Sequence, residues 1–355
     1  MKIEEAISFE ALYESMEKCT KGVLWKSSVQ SYYLNGIEQT LKLEGELKSG
    51  TYEARKPKHF TIHHPKERDI VSIPFRDRVY QRSLNDNILY PEITKHFIYD
   101  NMACQKGKGT DKARNRLKCF LQREYRRRGN DFYVLQIDIK GYYPNMRHDV
   151  AKRVFKKYLD ADTYSMAEKV LDGQYAGDVG FNPGSQMVQI CGISVLNDLD
   201  HLIKERMRVR SYIRYMDDLV LMHESKDVLE ECLEEIKARL AGIGLEVNQK
   251  KTSVYPVRNG IQFLGFRFCL AETGKVYMQL DPKNVKNERK HLQRMVSLTA
   301  KGKLTKEKVD ACYEGWKAHA GKGNSYKLLQ RMDKYYKDLW REQNELQEER
   351  RSCKR

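Results

Sequence analysis

Two adjacent carboxylates in an apolar run constrain the fold of this chain more than any other feature. Asp217 and Asp218 separate the apolar and aromatic stretch 212–216 from the apolar stretch 219–222. This pattern predicts two short buried strands with the acidic pair at the tight turn between them. Buried side by side, two carboxylates need a neutralising cation, and a divalent metal suits because hard cations prefer oxygen ligands. The alternative is a solvated Asp-Asp turn, since Asp is frequent in turns.

Composition narrows the class of partner. The 355 residues carry 65 Lys and Arg against 49 Asp and Glu, a formal net charge of +16, which indicates a polyanionic partner and first of all nucleic acid. Mean hydropathy is −0.73, and no apolar run approaches the length of a membrane span. We therefore predict a cytoplasmic protein without a membrane partner. The eight cysteines show neither CxxC spacing nor clustering with histidine, which predicts reduced thiols rather than a zinc site.

A third carboxylate ends another apolar stretch. Asp138 closes a β-like run that begins at residue 132 and leads into Gly141 and Pro144. The residue is a poor candidate for a helix cap because the segment from Gly141 to Pro144 intervenes. A strand-end Asp combined with an Asp-Asp hairpin is an arrangement that can hold two metal ions for in-line phosphoryl transfer.

Two further stretches carry cations suited to phosphates. Residues 60–74 read as a β-hairpin with Lys66 and Arg68 at or near its tip. A glycine-rich stretch that opens a helix holds Lys106 and Lys108, and such a stretch suits contact with a nucleic-acid backbone. For the hairpin the alternative is an ordinary solvated turn. The glycine-rich stretch lacks the spacing of a Walker A loop.

The order of these motifs resembles that of a reverse transcriptase. An aspartate strand is followed by an aromatic residue five positions on, Tyr143, and later by Tyr-Met-Asp-Asp at 215–218. Other segments similar to family motifs follow in the family's order: the fingers hairpin and helix at 66–78, the next fingers motif at 97–110, the lysine-bearing palm motif at 245–252 and the primer-grip hairpin at 260–266. The resemblance spans about residues 55–330, and ordered co-occurrence is far more specific than any single motif.

The resemblance implies catalytic and metal-binding roles. The implied positions are Asp138, Ile139 through its carbonyl, Asp217, Asp218 and Lys251. They would hold two Mg²⁺ ions, for which Mn²⁺ can substitute, with Asp218 the less essential carboxylate. Lys251, or alternatively Lys250, would donate a proton to the leaving pyrophosphate.

The resemblance also implies binding roles. The nucleotide-binding positions are Lys66, Arg68, Tyr143, Gly184 and Gln189, and the nucleic-acid-binding positions are Lys106, Lys108, Phe263, Leu264 and Gly265. Tyr143 would lie under the sugar and exclude a 2′-hydroxyl, so that the product is DNA. This role separates a reverse transcriptase from the competing hypothesis of an RNA-templated RNA polymerase.

One segment departs from the common family pattern. Group II intron and retroviral enzymes have Pro-Gln-Gly where this chain has Asn182-Pro183-Gly184, so the glutamine that supports the base pair is absent. Diversity-generating retroelement enzymes also lack that glutamine and end the motif Ser-Gln, where this chain has Val188-Gln189. This chain thus keeps the Gln of that motif and lacks its Ser. Its size, its short thumb and this altered turn resemble bacterial defence-associated (unknown group) enzymes, with the diversity-generating enzymes as the close rival.

The resemblance implies an α+β right-hand fold. We expect fingers over residues 1–130, an antiparallel palm sheet over 131–280 and a helical thumb over 281–355. The implied function is RNA-directed DNA synthesis, with a dedicated noncoding RNA as template, in anti-phage defence. Mutagenic copying in a diversity-generating retroelement and a retron are the rival roles, and an RNA-binding scaffold is the non-enzymatic alternative. The expected partners are RNA, the DNA product and dNTPs, with an accessory protein or a second copy of the chain as further candidates.

Overall fold

The computed structural model describes residues 3–62, 67–175, 177–181 and 184–352; it leaves out the side chains of Arg68 and of residues 346–352. The chain divides into two units, and both are discontinuous in sequence. The first unit runs up to Ala113 and continues over Leu135–Val254. The second unit comprises Arg114–Val134 and the chain from Tyr255 onward.

The first unit is mainly helical. Its helices up to the unit boundary are α1 (Ile3–Ala6), α2 (Phe9–Thr20), α3 (Ser27–Leu34), α4 (Gly36–Lys48), α5 (Phe75–Leu84), α6 (Tyr90–Thr94) and the start of α7 (Thr110–Arg128). After the boundary they are α8 (Tyr142–Asn145), α9 (His148–Tyr158), α10 (Ala161–Gln174), α11 (Gln186–Ser194), α12 (Asn197–His201) and α13 (Lys226–Gly242). Single π-helical turns follow α5 and α12, at Asn85–Leu89 and Leu202–Arg206.

Side-chain caps fix where several of these helices begin. An oxygen of the residue before the helix accepts a hydrogen bond from a backbone N–H of the first turn and satisfies one of its unpaired donors. The capping residues are Ser8 for α2, Asp160 for α10, Ser185 for α11 and Ser225 for α13. The cap at Ser185 fixes the register of α11, which carries Gln189.

The strands form three sheets. They are β1 (Lys58–Ile62), β2 (Arg68–Ser72), β3 (Tyr133–Asp138), β4 (Ser211–Tyr215), β5 (Asp218–His223), β6 (Ser253–Pro256), β7 (Ile261–Phe263), β8 (Phe266–Leu270) and β9 (Val276–Leu280). The sheet orders are β1-β2, β4-β5-β3-β6 and β7-β8-β9. The β1-β2, β4-β5, β7-β8 and β8-β9 pairs are antiparallel. Helices combined with antiparallel sheets confirm the predicted α+β class.

The predicted acidic hairpin is present, with its turn one residue earlier than expected. β4 and β5 pair from Ser211↔Met222 to Tyr215↔Asp218, so the two-residue turn consists of Met216 and Asp217. Asp218 is the first residue of β5 rather than part of the turn. The strand interiors are buried, as the apolar pattern predicted.

The second unit joins its two chain segments through backbone and side-chain contacts. The N–H of Val257 donates to the carbonyl of Phe132 at 3.1 Å. The helices that follow β9 are α14 (Pro282–Ala300), α15 (Lys306–Ala320) and α16 (Tyr326–Ser352), and their apolar core consists of Leu292, Met295, Val296, Val309, Tyr313 and Met332. The division into fingers, palm and a helical thumb stays a prediction. Within the described ranges, no helix is both long and apolar enough to cross a membrane.

Candidate active site

Asp138 lies at the end of β3 and is held by two side chains from the segment before β6. Lys251 Nζ lies 2.8 Å from Asp138 Oδ1, and Asn248 Nδ2 donates to Asp138 Oδ2 at 2.9 Å. The backbone N–H of Asn248 also donates to the Asp138 carbonyl at 2.7 Å. The two predicted catalytic residues Asp138 and Lys251 are therefore in direct contact, and Asn248 is a neighbour that the sequence reasoning missed.

The acidic hairpin meets the same strand end. The N–H of Ile139 donates to the carbonyl of Asp217 at 3.3 Å, which brings the residue after Asp138 to the turn. Burial, followed by the charges of Asp217 and Asp138, raises the pKa of Asp218 to about 6, while Lys251 opposes the rise. Burial also raises the pKa of Asp217, with a further contribution from Asp138. The three predicted carboxylates therefore form one electrostatically coupled group.

The chemistry of this group fits a divalent cation. Carboxylate oxygens and a backbone carbonyl are the ligands that Mg²⁺ prefers, and burial together with the neighbouring carboxylates raises the pKa of Asp217 and Asp218, a cost that a bound cation would offset. Among the residues described, no three His, Cys, Asp or Glu side chains are arranged to hold a metal ion as they stand. Both oxygens of Asp138 are engaged by Lys251 and Asn248, so Lys251 now serves as its counter-ion.

Tyr143 lies against the acidic turn. The residue belongs to α8, and its Oη contacts Met216 Sδ at 3.6 Å. Burial raises the pKa of the Tyr143 hydroxyl, which therefore stays protonated. The ring has room because Gly192 of α11 has no side chain: a Cβ there would lie 2.6 Å from Tyr143 Oη. The predicted sugar-contacting residue is thus next to the carboxylates, and Gly192 is a second neighbour that the sequence reasoning missed.

Gln189 and Lys106, predicted for different ligands, line the same small cavity. It has a volume of about 170 Å³ and is also bounded by Arg82, Asp86 and Tyr90. Both predicted residues are exposed, and the ammonium of Lys106 lies 5.2 Å from the centre of the Tyr90 ring. The predicted nucleotide and nucleic-acid contacts therefore meet at this cavity.

Lys108 has a different environment from Lys106. Its ammonium donates to the carbonyls of Tyr99 and Asn101, both at 2.8 Å. Burial lowers the pKa of Lys108 to about 8, although Asp100 partly opposes the fall. Since two backbone carbonyls already accept from this ammonium, Lys108 stabilises the glycine-rich loop in the structure, and its predicted phosphate contact would require these bonds to break.

The other predicted nucleotide contacts are only partly defined. Lys66 lies outside the described residues, and so do positions 182–183 of the altered turn. Arg68 begins β2, paired with Ile62, but its side chain is not described. Gly184 is exposed and directly precedes the cap of α11. These positions therefore keep the roles assigned from the sequence as predictions.

The predicted primer-grip residues form the β7–β8 turn of the second unit. Phe263 pairs with Phe266, and the two-residue turn of Leu264 (φ 48°) and Gly265 (φ 83°) has two positive φ angles, as tight hairpins require. The guanidinium of Arg114 donates to the Leu264 carbonyl at 3.1 and 3.3 Å and lies over the Phe266 ring. Phe263 is buried, so Leu264 and Gly265 are the accessible part of this turn.

Arg214 is the third neighbour that the sequence reasoning missed. It is completely buried on β4 and donates to the carbonyl of Met216 in the acidic turn. A signal was available: a charged residue within an otherwise apolar strand pattern requires a buried partner. The pattern did not reveal that partner, Asp200, because contacts distant in sequence leave no periodic trace.

The chain is similar in structure to telomerase from Candida albicans in complex with the TWJ fragment of telomeric RNA, at 12% identity over 69% of this chain and 50% of that chain, with a TM-score of 0.49. It is also similar to apo telomerase from Candida tropicalis, at 13% identity over 64% of this chain and 49% of that chain (TM-score 0.48). For apo telomerase from Candida tropicalis truncated from the C-terminal domain, the identity is 14% over 69% of this chain and 60% of that chain, with a TM-score of 0.48.

The chain thus spans about half the length of the first two telomerase chains. A comparison with curated proteins found no match. The model of the family described as "Reverse transcriptase (RNA-dependent DNA polymerase)" matches residues 55–268, more than half of the chain. That region includes Asp138, Asp217, Asp218 and Lys251. The chain belongs to the reverse transcriptase family.

Proposed function

We propose that this chain is an RNA-directed DNA polymerase that adds deoxynucleotides to a 3′-hydroxyl on an RNA template. The observation that carries the proposal is the coupled group of Asp138, Asp217 and Asp218, with Lys251 in contact, inside the region that the family model covers. A solvated turn would not raise a carboxylate pKa in this way, because full hydration removes both causes of the shift.

The residues of the site divide the chemistry among them. Asp138, Asp217 and the Ile139 carbonyl would hold two Mg²⁺ ions, with Asp218 beside them; when bound, the ions supply charge neutralisation and polarise the reacting oxygens. Lys251 would donate a proton to pyrophosphate; the hydrogen bond to Asp138 raises its pKa and keeps it protonated, so this contact must break before the proton is given up. Lys250 remains the alternative donor.

The remaining roles concern substrate binding. Lys66 and Arg68 bind the triphosphate, Tyr143 excludes the 2′-hydroxyl, and Gly184 and Gln189 contact the nucleotide. Lys106, Phe263 and the turn of Leu264 and Gly265 contact the template and primer, whereas Lys108 stays bound to the Tyr99 and Asn101 carbonyls. The proximity of Tyr143 to Met216 supports a sugar contact next to the carboxylates, and the cavity shared by Lys106 and Gln189 supports a template strand near the nucleotide.

Replacing both hairpin carboxylates tests the activity. Asp217→Asn with Asp218→Asn should abolish primer extension on an RNA template with dNTPs, because the oxygen ligands lose their charge. The free energy of unfolding should not fall, since the substitution also removes repulsion between buried charges. The measurement is primer extension together with urea denaturation.

Glu230→Gln with Glu231→Gln provides the matched control. These adjacent acidic residues lie on α13, away from the three carboxylates in sequence, and should leave extension unchanged. Extension retained by the Asp217→Asn, Asp218→Asn protein would refute the assignment. A wild-type protein that binds RNA but extends no primer would favour the RNA-binding scaffold instead.

The biological role that we propose is copying of a dedicated noncoding RNA in bacterial anti-phage defence. The altered segment from Gly184 to Gln189 supports this role or its rival, mutagenic copying in a diversity-generating retroelement, over a standard copying enzyme. The described cysteines are free thiols, which supports a cytoplasmic location. An accessory protein or a second copy of the chain completes the proposed set of partners.

Sequencing the RNA and DNA that copurify with the protein separates these roles. A fixed short or repetitive DNA product supports defence, whereas copies of a template repeat that differ at adenines support diversification. A product that stays joined to its own RNA supports a retron. Random cellular transcripts among the copurified RNA would contradict a dedicated template.

A further inference from the structure

Arg214 and Asp200 form a completely buried ion pair in the first unit. The guanidinium donates from Nε to Asp200 Oδ1 at 2.7 Å and from Nη2 to Asp200 Oδ2 at 2.6 Å. Tyr212 Oη donates to the same carboxylate at 2.6 Å. Neither charged side chain is exposed to solvent. The two-pronged geometry neutralises both charges, which is the condition for burying them.

The same guanidinium also reaches two backbone carbonyls at the active site. Nη1 donates to the Met216 carbonyl at 3.1 Å, and Nη2 donates to the Ile193 carbonyl at 2.8 Å. Met216 belongs to the acidic turn, and Ile193 lies near the end of α11. Because the guanidinium is planar and rigid, it fixes the turn that carries Asp217 relative to the helix that carries Gln189 and Gly192.

Met216 has a backbone conformation that requires such support. Its φ is 56°, in the left-handed region that residues with a side chain rarely adopt. Conformations of this kind persist where the surroundings over-determine them. The Met216 side chain contacts the Tyr143 hydroxyl, and the next residue is Asp217. The orientation of Met216 therefore affects both the sugar-contacting tyrosine and a metal-binding carboxylate.

We propose that Arg214, held by Asp200, is a positioning residue that fixes the Met216–Asp217 turn against the end of α11 for catalysis. The inference rests on the proposed polymerase function and adds a residue that touches neither substrate nor metal. Its effect is transmitted through the Met216 carbonyl. Without the guanidinium, the turn would sample other conformations, and Asp217 and Met216 would be correctly placed for only part of the time.

If Arg214 had only a structural role, a folded variant without the ion pair would keep wild-type hairpin exchange and kcat. Replacing a buried ion pair with apolar residues of similar size is often neutral or stabilising. A variant with D200L, Y212F and R214M, named here the apolar variant, also avoids leaving a buried partner of the pair unsatisfied. It should fold, yet it lacks the donor to Met216. R214K is the conservative variant, since it keeps a charge but loses the planar fork.

Hydrogen exchange and steady-state kinetics together test the proposal. In the apolar variant and in R214K, amides of the β4–β5 hairpin should exchange about tenfold faster than in the wild type, because one hydrogen bond to a charged donor is lost or weakened. For primer extension, kcat should fall by about tenfold or more, while the KM for primer–template stays unchanged. Urea denaturation shows whether each variant is folded.

K152M is the matched control. Lys152 Nζ donates to Asp172 Oδ2 at 2.8 Å and pairs with Glu168, so the substitution removes another partly buried ion pair of the same unit, between α9 and α10. It should leave hairpin exchange and kcat near wild-type values. If K152M accelerates hairpin exchange as much as R214K does, the effect is general loosening and the proposal is wrong.

Every outcome decides the question. A folded apolar variant with wild-type exchange and wild-type kcat overturns the proposal. If neither the apolar variant nor R214K folds, Arg214 acts in folding rather than in positioning, and the proposal is overturned as well. If wild-type protein extends no primer, the proposed function fails, while hairpin exchange still decides whether Arg214 fixes the turn.

Discussion

The ionisation of Asp218 links the stability of the protein to pH. Burial and the neighbouring Asp217 and Asp138 raise its pKa to about 6, above the value of 3.8 for an ordinary aspartate. The folded protein therefore holds this proton more tightly than the unfolded chain does. The resulting stabilisation is fully present below about pH 3.8 and is lost as the pH rises through about 6.

Without divalent metal, the Asp218→Asn variant should lose less stability than the wild type as the pH rises. Between about pH 4 and pH 7 the difference in the free energy of unfolding should grow by roughly 2 kcal/mol in favour of the variant. Urea denaturation at constant ionic strength with a chelator measures both proteins, and groups that titrate equally in both cancel. Parallel pH profiles would contradict the raised pKa.

The ring of Tyr143 should control the choice of sugar. Replacing Tyr143 with Ala removes the bulk beside Met216 and should raise ribonucleotide incorporation relative to deoxynucleotide incorporation by roughly tenfold or more. Tyr143→Phe keeps the ring and should retain the wild-type preference. Single-nucleotide extension with matched dNTP and rNTP gives the ratio. An unchanged ratio in Tyr143→Ala would show that another residue excludes the 2′-hydroxyl.

The packing of α11 against α8 depends on the absence of a side chain at Gly192. A Cβ at Gly192 would lie 2.6 Å from the Tyr143 hydroxyl and 2.9 and 3.0 Å from two atoms of its ring. Gly192→Ala should therefore lower the free energy of unfolding by about 1–3 kcal/mol, the usual cost of overpacking. Gly45→Ala, in α4 with open space around it, should instead stabilise the protein by up to about 1 kcal/mol.

A double-mutant cycle isolates the contact between these two elements. In a Tyr143→Ala background the cost of Gly192→Ala should largely disappear, because the clashing ring is gone. Chemical denaturation of the four proteins provides the coupling free energy. A cost that persists without the ring would mean that Gly192 is needed for another reason.

Local sequence patterns predicted the elements well. The two apolar stretches around the acidic pair predicted the β4–β5 hairpin, and the glycine-rich stretch predicted a helix that opens at Thr110 or Asp111, where α7 begins at Thr110. Apolar positions at helical spacing over residues 1–50 predict two or three amphipathic helices, whereas the structure has four short ones, α1 to α4. Breaks between short helices depend on packing against the rest of the unit, which a local pattern does not encode.

The candidate site was predictable in its chemistry but less so in its supporting contacts. Asp138 and Lys251 are far apart in sequence, yet the family resemblance placed them together, and the structure puts them in contact. The same reasoning predicted a nucleic-acid contact for Lys108, whereas in the structure two backbone carbonyls accept hydrogen bonds from its ammonium. Hydrogen bonds to backbone carbonyls depend on the fold alone, so residue type could not reveal them.

The net charge of +16 gives the whole molecule a general affinity for nucleic acid. RNA affinity should therefore fall steeply with salt, as bound counterions are released. Lys106→Ala should lower the slope of log affinity against log salt by about one, because its exposed ammonium is available to phosphate. Lys108→Ala is the contrast and should leave the slope unchanged. Fluorescence anisotropy over a salt series measures both, and equal slopes for the two variants would contradict this assignment.

The split of the second unit into two chain segments has a consequence for biosynthesis. A polypeptide is made from its N-terminus, and compact units fold as wholes. The segment Arg114–Val134 cannot complete the second unit until the chain beyond Tyr255 has been synthesised. Every residue of the first unit, in contrast, is synthesised before Tyr255. The carboxylates and Lys251 can therefore come together on the ribosome before the second unit is complete. Leu117 and Phe120 of α7 are buried in the folded protein. During synthesis, we expect such apolar residues to remain accessible to chaperones until the second unit folds.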